Sequence, residues 1–168
     1  GQTVAIVGAT GAGKSTIINL INRFYEIDSG SICVDGIPIE EYKLESLRNQ
    51  VAVVLQDVFL FSDSILNNIT LKNPTISKEE VEVAAKQIGI HDFIMTLPGG
   101  YDYNVKERGA MLSSGQRQLI AFLRAYLSKP SILILDEATS SVDAFAEKMI
   151  QYATETITKH RTSIVIAH

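Results

Sequence analysis

Gly8, Ala9, Thr10, Gly11, Ala12, Gly13, Lys14, Ser15 and Thr16 stand together in the pattern G-x-x-x-x-G-K-[ST]. Glycine has no Cβ, so backbone N–H groups in such a loop can wrap closely around an anion. Lys14 adds a compact positive charge for outer phosphates, and the Ser15 hydroxyl suits Mg2+. The chemistry this combination serves is the binding of a nucleoside triphosphate with its metal. Other reactive groups lie further along. Asp136 and Glu137 are adjacent acids after an apolar run. Neighbouring side chains at a strand end project to different sides, so one could hold the Mg2+ shell while the other reaches an attacking water. Ser113, Ser114, Gly115 and Gln116 place hydroxyls and a glycine at a candidate helix start, a second possible phosphate site. Gln56 and His168 each follow an apolar run.

These groups need rigid elements behind them. Residues 3–7 are a short β-branched run, expected as a buried parallel strand. Ile17, Ile18, Ile21, Phe24 and Tyr25 then recur at helical spacing, predicting a helix to about Glu26. Residues 28–30 read as a turn and 31–34 as a strand. Asp35-Gly36 is a hairpin signal, and Pro38 confines the strand at 37–39 to an edge or an end. Residues 51–55 read as a buried strand ending at Gln56. Ser77-Lys78-Glu79-Glu80 is a capping box before the core-facing stripe Val81, Ala84, Ala85 and Ile88, with Gly89 as the stop. Residues 91–97 are expected as a short helix, and Ser113 or Ser114 as the cap of another that runs to about Leu127. Residues 61–127 are thus expected to be a helical subdomain. Residues 132–135 read as a buried strand, Asp143 starts a helix to about Thr158, and residues 163–167 are the last strand. Strands alternating with helices give an α/β fold whose parallel sheet is covered on both faces. Ligands of such sheets sit beyond the carboxyl ends of the strands.

The 168 residues suffice for one well-buried domain. A net charge of −4 lacks the basic excess of a general nucleic-acid binder, so no nucleic-acid partner is expected. Cys33 is the sole cysteine, which excludes an internal disulfide, and it is expected to be a buried or inert thiol. No apolar stretch approaches the roughly 20 residues that cross a bilayer. Any membrane link is expected through another chain or a further segment. Gly1 stands two residues before a core strand and His168 directly after another, so the chain is expected to be truncated at both ends. His91 and His160 lack metal-ligand spacing and are expected at the surface. Tyr101 and Tyr103 are expected to pack in the core or subdomain.

Taken in order, these motifs resemble those of the ATP-binding cassette (ABC) family over the whole chain. Residues 8–16 are similar to its Walker A motif and 132–137 to its Walker B motif. Residues 112–116 look like its signature, usually L-S-G-G-Q. Gln56 matches the Q-loop, Ser141-Val142-Asp143 the D-loop and His168 the switch histidine. Gln56-Asp57-Val58-Phe59-Leu60-Phe61, followed by residues 65–69, and Glu107-Arg108-Gly109 resemble the Q-loop segment and X-loop of exporters.

The resemblance implies a P-loop NTPase fold: a parallel sheet core flanked by helices, a small antiparallel β lobe, and the 61–127 subdomain inserted in a RecA-like core. It implies ATP binding and Mg2+-dependent hydrolysis that powers export, at the cytoplasmic face of a membrane. The implied partners are a transmembrane domain and a second nucleotide-binding domain, paired head to tail. Each ATP would lie between one copy's Walker A and the other's signature. Gly8, Thr10, Gly11, Ala12, Gly13, Lys14, Ser15 and Thr16 would then hold phosphates. Ser15 and Gln56 would ligate Mg2+ directly and Asp136 through water. Glu137 would polarise or deprotonate the attacking water, and His168 would steady the γ-phosphate. Ser113, Ser114, Gly115 and Gln116 would serve the opposing copy's ATP, and Asp143 joins the nucleotide set through the D-loop. Two residues depart from the family pattern: Ser114 replaces a usual glycine, and Lys106 replaces a common X-loop glycine. The family's adenine-stacking aromatic would precede Gly1, so these residues alone are expected to bind nucleotide weakly. Three alternatives stay open: an importer motor, a soluble ABC ATPase, and a non-hydrolysing regulatory half. Soluble members that act in chromosome maintenance carry a coiled-coil insertion before the signature, and no heptad tract stands there.

Overall fold

The computed structural model describes residues 1–136 and 142–167. Among these, four strands form a parallel sheet: β1 (Thr3–Val7), β4 (Val51–Val54), β5 (Ile132–Asp136) and β6 (Thr162–Ala167), in the order β1-β6-β5-β4. The remaining two, β2 (Cys33–Val34) and β3 (Ile37–Pro38), make a separate antiparallel hairpin. Asp35 and Gly36 between them have φ of 50° and 80°, the left-handed pair a tight two-residue hairpin requires. The helices are α1 (Lys14–Ile21), α2 (Leu44–Gln50), α3 (Ile65–Thr70), α4 (Lys78–Gln87), α5 (His91–Thr96), α6 (Ser114–Leu127) and α7 (Ala144–Thr158).

Alternation along β5 divides the interior in two. Leu133 and Leu135 pack with Leu119, Phe122, Leu123 and Ile150, so α3 to α7 cover one face. Ile134 packs with Ile18, Ile39 and Leu47, so α1 and α2 cover the other. The stripe Val81, Ala84, Ala85 and Ile88 is buried on the first face, as its spacing predicts. Tyr101 is buried there too, while Tyr103 packs partly buried against it. The Ser77 capping box forms: Ser77 Oγ accepts from Glu80 N at 3.1 Å, and Glu80 Oε2 accepts from Ser77 N at 2.9 Å.

Three expectations need correction. The strand at 3–7 forms but is not buried: Val4 and Val7 are 53% and 74% exposed. β1 lies at the sheet edge, paired among the described residues with β6 alone. Its β-branched composition therefore reports strand formation and not burial. The first helix stops at Ile21, five residues before Glu26. Asn22 turns its side-chain amide back onto Ile18 O at 2.9 Å, and Arg23 goes left-handed with φ 50°. Phe24 and Tyr25 are consequently exposed, with Arg48 seated over the Phe24 ring at 4.9 Å. Cys33 is exposed on its two-residue strand, which overturns burial as the reason for its thiol.

Candidate active site

The glycine loop leaves β1 at Val7 and enters α1 at Lys14. Gly11 and Gly13 have φ of 85° and 89°, a region costly for residues with a Cβ. Gly13 is the N-cap of α1 and offers the first turn no side-chain acceptor, so its backbone N–H groups suit an anion. Thr10, Ala12, Ser15 and Thr16 are exposed along this rim. Lys14 is only 6% exposed. Its ammonium donates to Gly8 O and to Ala9 O, the latter at 3.0 Å, and none of the described carboxylates forms an ion pair with it.

The other predicted groups follow from strand register. Val7 pairs with Ala167, Asp136 with Ile166, and Leu135 with Val54. All four strands are parallel, so their carboxyl ends share one edge. Gly8, Asp136 and Gln56 extend that edge from β1, β5 and β4, and Gln56 is exposed two residues past its strand. Glu137, Ser141 and His168 lie outside the described residues.

The signature stretch stands elsewhere. It opens α6, across the sheet from α1. Ser113 and Gln116 form a capping box: Ser113 Oγ accepts from Gln116 N at 3.2 Å, and Gln116 Oε1 accepts from Ser113 N at 3.0 Å. Asp143 caps α7, accepting from Phe145 N and Ala146 N at 3.1 and 3.0 Å. Both elements are built as the sequence predicts. The fold does not place them in the Lys14 loop.

Sequence reasoning missed the network at the far end of α6. Arg124 donates to Asn68 O, to Phe59 O at 3.0 Å and to Asn68 Oδ1 at 3.1 Å. Burial pulls its guanidinium below the usual arginine range. Asn68 is fully buried and bridges Phe61 N and O at 2.8 and 3.0 Å. The segment after Gln56 is thereby fixed to α3 and α6. Phe59 and Phe61 are exposed in an edge-on pair 5.1 Å apart, beside a cavity of about 420 Å³ lined also by Val58, Leu71 and Arg124. The available signal was a lone arginine inside the apolar run 119–125.

Asp63 braces the same segment. The Lys72 ammonium at 2.9 Å, the Asn67 amide at 2.8 Å and the Ser64 N–H at 2.7 Å hold its carboxyl at about 2. A depressed folded value stabilises above the unfolded value of about 3.9 and is lost as pH falls towards 2. Wild type is therefore expected to exceed Asp63→Asn in stability at neutral pH. Denaturant titrations should show the gap closing between about pH 4 and pH 2.

Lys106 has φ 61° and ψ −171°, a region almost confined to glycine. The exposed loop holds this strain just before Arg108 and Gly109, which also have positive φ. Lys106→Gly is expected to raise the unfolding free energy by about 1 kcal/mol, the relieved strain less the added unfolded-chain entropy. A shift in the denaturant midpoint would measure it.

Comparison with known proteins decides the family. A family model described as ABC transporter matches residues 1–140. The chain belongs to the ABC transporter family. A protein of Staphylococcus aureus (strain NCTC 8325 / PS 47) named as a multidrug export ATP-binding/permease protein is 52% identical over all 168 residues. The ABC transporter ATP-binding protein YknV of Bacillus subtilis (strain 168) is also 52% identical over the whole chain. The chain spans 29% and 28% of the lengths of these two relatives. A bacterial Atm1-family ABC exporter solved with ATP bound matches 98% of the chain and 29% of its own, at 45% identity and a TM-score of 0.88. This ABC chain has the parallel sheet, flanking helices and small antiparallel lobe expected of a P-loop ATPase. None of its described helices is long and apolar enough to cross a membrane.

Proposed function

We propose that this ABC chain binds and hydrolyses ATP as the motor domain of an exporter, on the cytoplasmic side of a membrane. One observation carries the reading. Lys14 is a buried ammonium held by two carbonyls, with no ion pair to a described carboxylate, beside two left-handed glycines and an uncapped helix start. A buried charge is costly unless it is compensated, and a polyphosphate supplies the compensation. Relatives named for export, and the ATP-bound exporter that the fold matches, favour this direction of transport over import.

Gly8, Thr10, Gly11, Ala12, Gly13, Ser15 and Thr16 would hold the phosphates through backbone N–H groups and hydroxyls. Ser15 and Gln56, with Asp136 through water, would hold Mg2+. The donor set fits a hard cation, being hydroxyl, amide oxygen and carboxylate. When bound, the ion neutralises charge on the β- and γ-phosphate oxygens. Glu137 takes the proton of the attacking water, and His168 orients the γ-phosphate. The position of α6 across the sheet from α1 supports a second copy. Ser113, Ser114, Gly115 and Gln116 would then meet the other copy's ATP, and Asp143 would stand beside that contact.

The membrane part would dock on the exposed pair Phe59 and Phe61 near Leu71, with Asn104 and Lys106 at its border. Tyr101, only 2% exposed, lies in the core and takes no part in that face. Residues 61–127 would move with that contact as a helical subdomain. Turnover of ATP by the assembled transporter tests the whole reading. It is expected to require Mg2+ and to fall by about 100-fold or more in EDTA. Undiminished turnover in EDTA, or none with Mg2+ present, would overturn the assignment.

A further inference from the structure

Gly115 is the second residue of α6, and its φ is not left-handed. A glycine inside a helix costs about 1 kcal/mol relative to alanine, so its presence here calls for a reason other than backbone conformation. A Cβ built on Gly115 would stand 2.7 Å from Val142 Cγ1 and 2.8 Å from Ala146 Cβ. Both distances are below any real carbon contact. Val142 Cγ1 can swing aside by rotation about χ1, but Ala146 Cβ is fixed to the backbone of α7. The close approach is therefore between two helix starts: α6, capped by Ser113, and α7, capped by Asp143.

We propose that Gly115 is a positioning residue. Its missing Cβ seats the N-terminus of α6 directly on the N-terminus of α7, so that the two capped starts behave as one rigid unit. The signature loop at the start of α6 then keeps a fixed relation to the Asp143-capped start of α7. This rests on the ATPase reading above. It adds to that reading what the missing Cβ makes room for: α7 of the same chain.

The test is a rescue in the assembled transporter. Gly115→Ala is expected to lower kcat for ATP by about tenfold or more and the thermal midpoint by a few degrees, while the affinity of the Lys14 loop for a fluorescent ATP analogue changes little. Adding Ala146→Gly opens the space on the α7 side, with Val142 Cγ1 turning aside about χ1, and is expected to return kcat to within about threefold of wild type. Ala146→Gly alone, on the Gly115 background, serves as the control and should turn over normally. Three results would overturn the proposal. One is a double variant as slow as Gly115→Ala, which would mean that the missing Cβ makes room for nucleotide and not for α7. Another is a Gly115→Ala variant with wild-type kcat. The last is analogue affinity falling in step with kcat, which would mark general damage to the fold. Absence of ATP turnover in the wild type would instead refute the ATPase reading, so the two failures are distinguishable.

Discussion

Lys14→Met is expected to separate function from stability. Nucleotide affinity should fall by roughly 100- to 1000-fold, because a unit charge near a phosphate at an effective dielectric of about 20 contributes about 3–4 kcal/mol. Turnover should fall at least as far. The thermal midpoint should hold or rise. Lys14 is buried, its ammonium is shared between Gly8 O and Ala9 O, and none of the described acids offsets its charge. Desolvating that ammonium works against folding, and an apolar side chain of similar length removes the penalty. A surface lysine would show neither effect. Binding measured by a fluorescent ATP analogue, read beside thermal unfolding of the same protein, checks both halves. An equal loss of midpoint and affinity would make Lys14 a structural residue.

The parts of this fold legible in the sequence are those fixed by local rules. The Ser77 and Ser113 capping boxes form because a hydroxyl and a side-chain oxygen three residues apart satisfy each other's backbone donors. The Asp35-Gly36 hairpin forms because few residue pairs accept two consecutive left-handed conformations. Strand β5 was legible because Leu133 to Leu135 face both cores at once, which demands an unbroken apolar run. The glycine loop belongs here as well, since Gly11 and Gly13 are left-handed where the motif needs them to be.

What was not legible depends on long-range contacts. Helices α2 and α3 are seven and six residues long, too short to show a period. α3 is held by Asn68 and by Arg124, 56 positions away. The exposure of β1 depends on its place in the sheet order, which no property of Thr3–Val7 encodes. Within the candidate site, Gly115 was readable as a glycine of the signature, yet its contact with Ala146 was not. Spacing within one segment says nothing of a helix that begins 29 positions later.

Glu137→Gln is expected to leave ATP binding intact and to lower turnover by about 100- to 10,000-fold, the usual contribution of a positioned general base. The amide keeps the size and one acceptor oxygen of the acid but cannot take a proton at neutral pH. Its neighbour Asp136 closes β5 in register with Ile166, on the same strand edge from which the glycine loop leaves β1. Ligands of parallel sheets gather at that edge, so the next residue after Asp136 is well placed in sequence to act on water there. Removing a negative charge near a polyanion should, if anything, tighten binding. The expected signature is thus opposite to that of Lys14→Met: affinity kept or improved, kcat lost. Single-turnover assays on the assembled transporter distinguish the two. Near-normal turnover in Glu137→Gln would take the base role from Glu137 and leave catalysis to charge stabilisation around Lys14 alone.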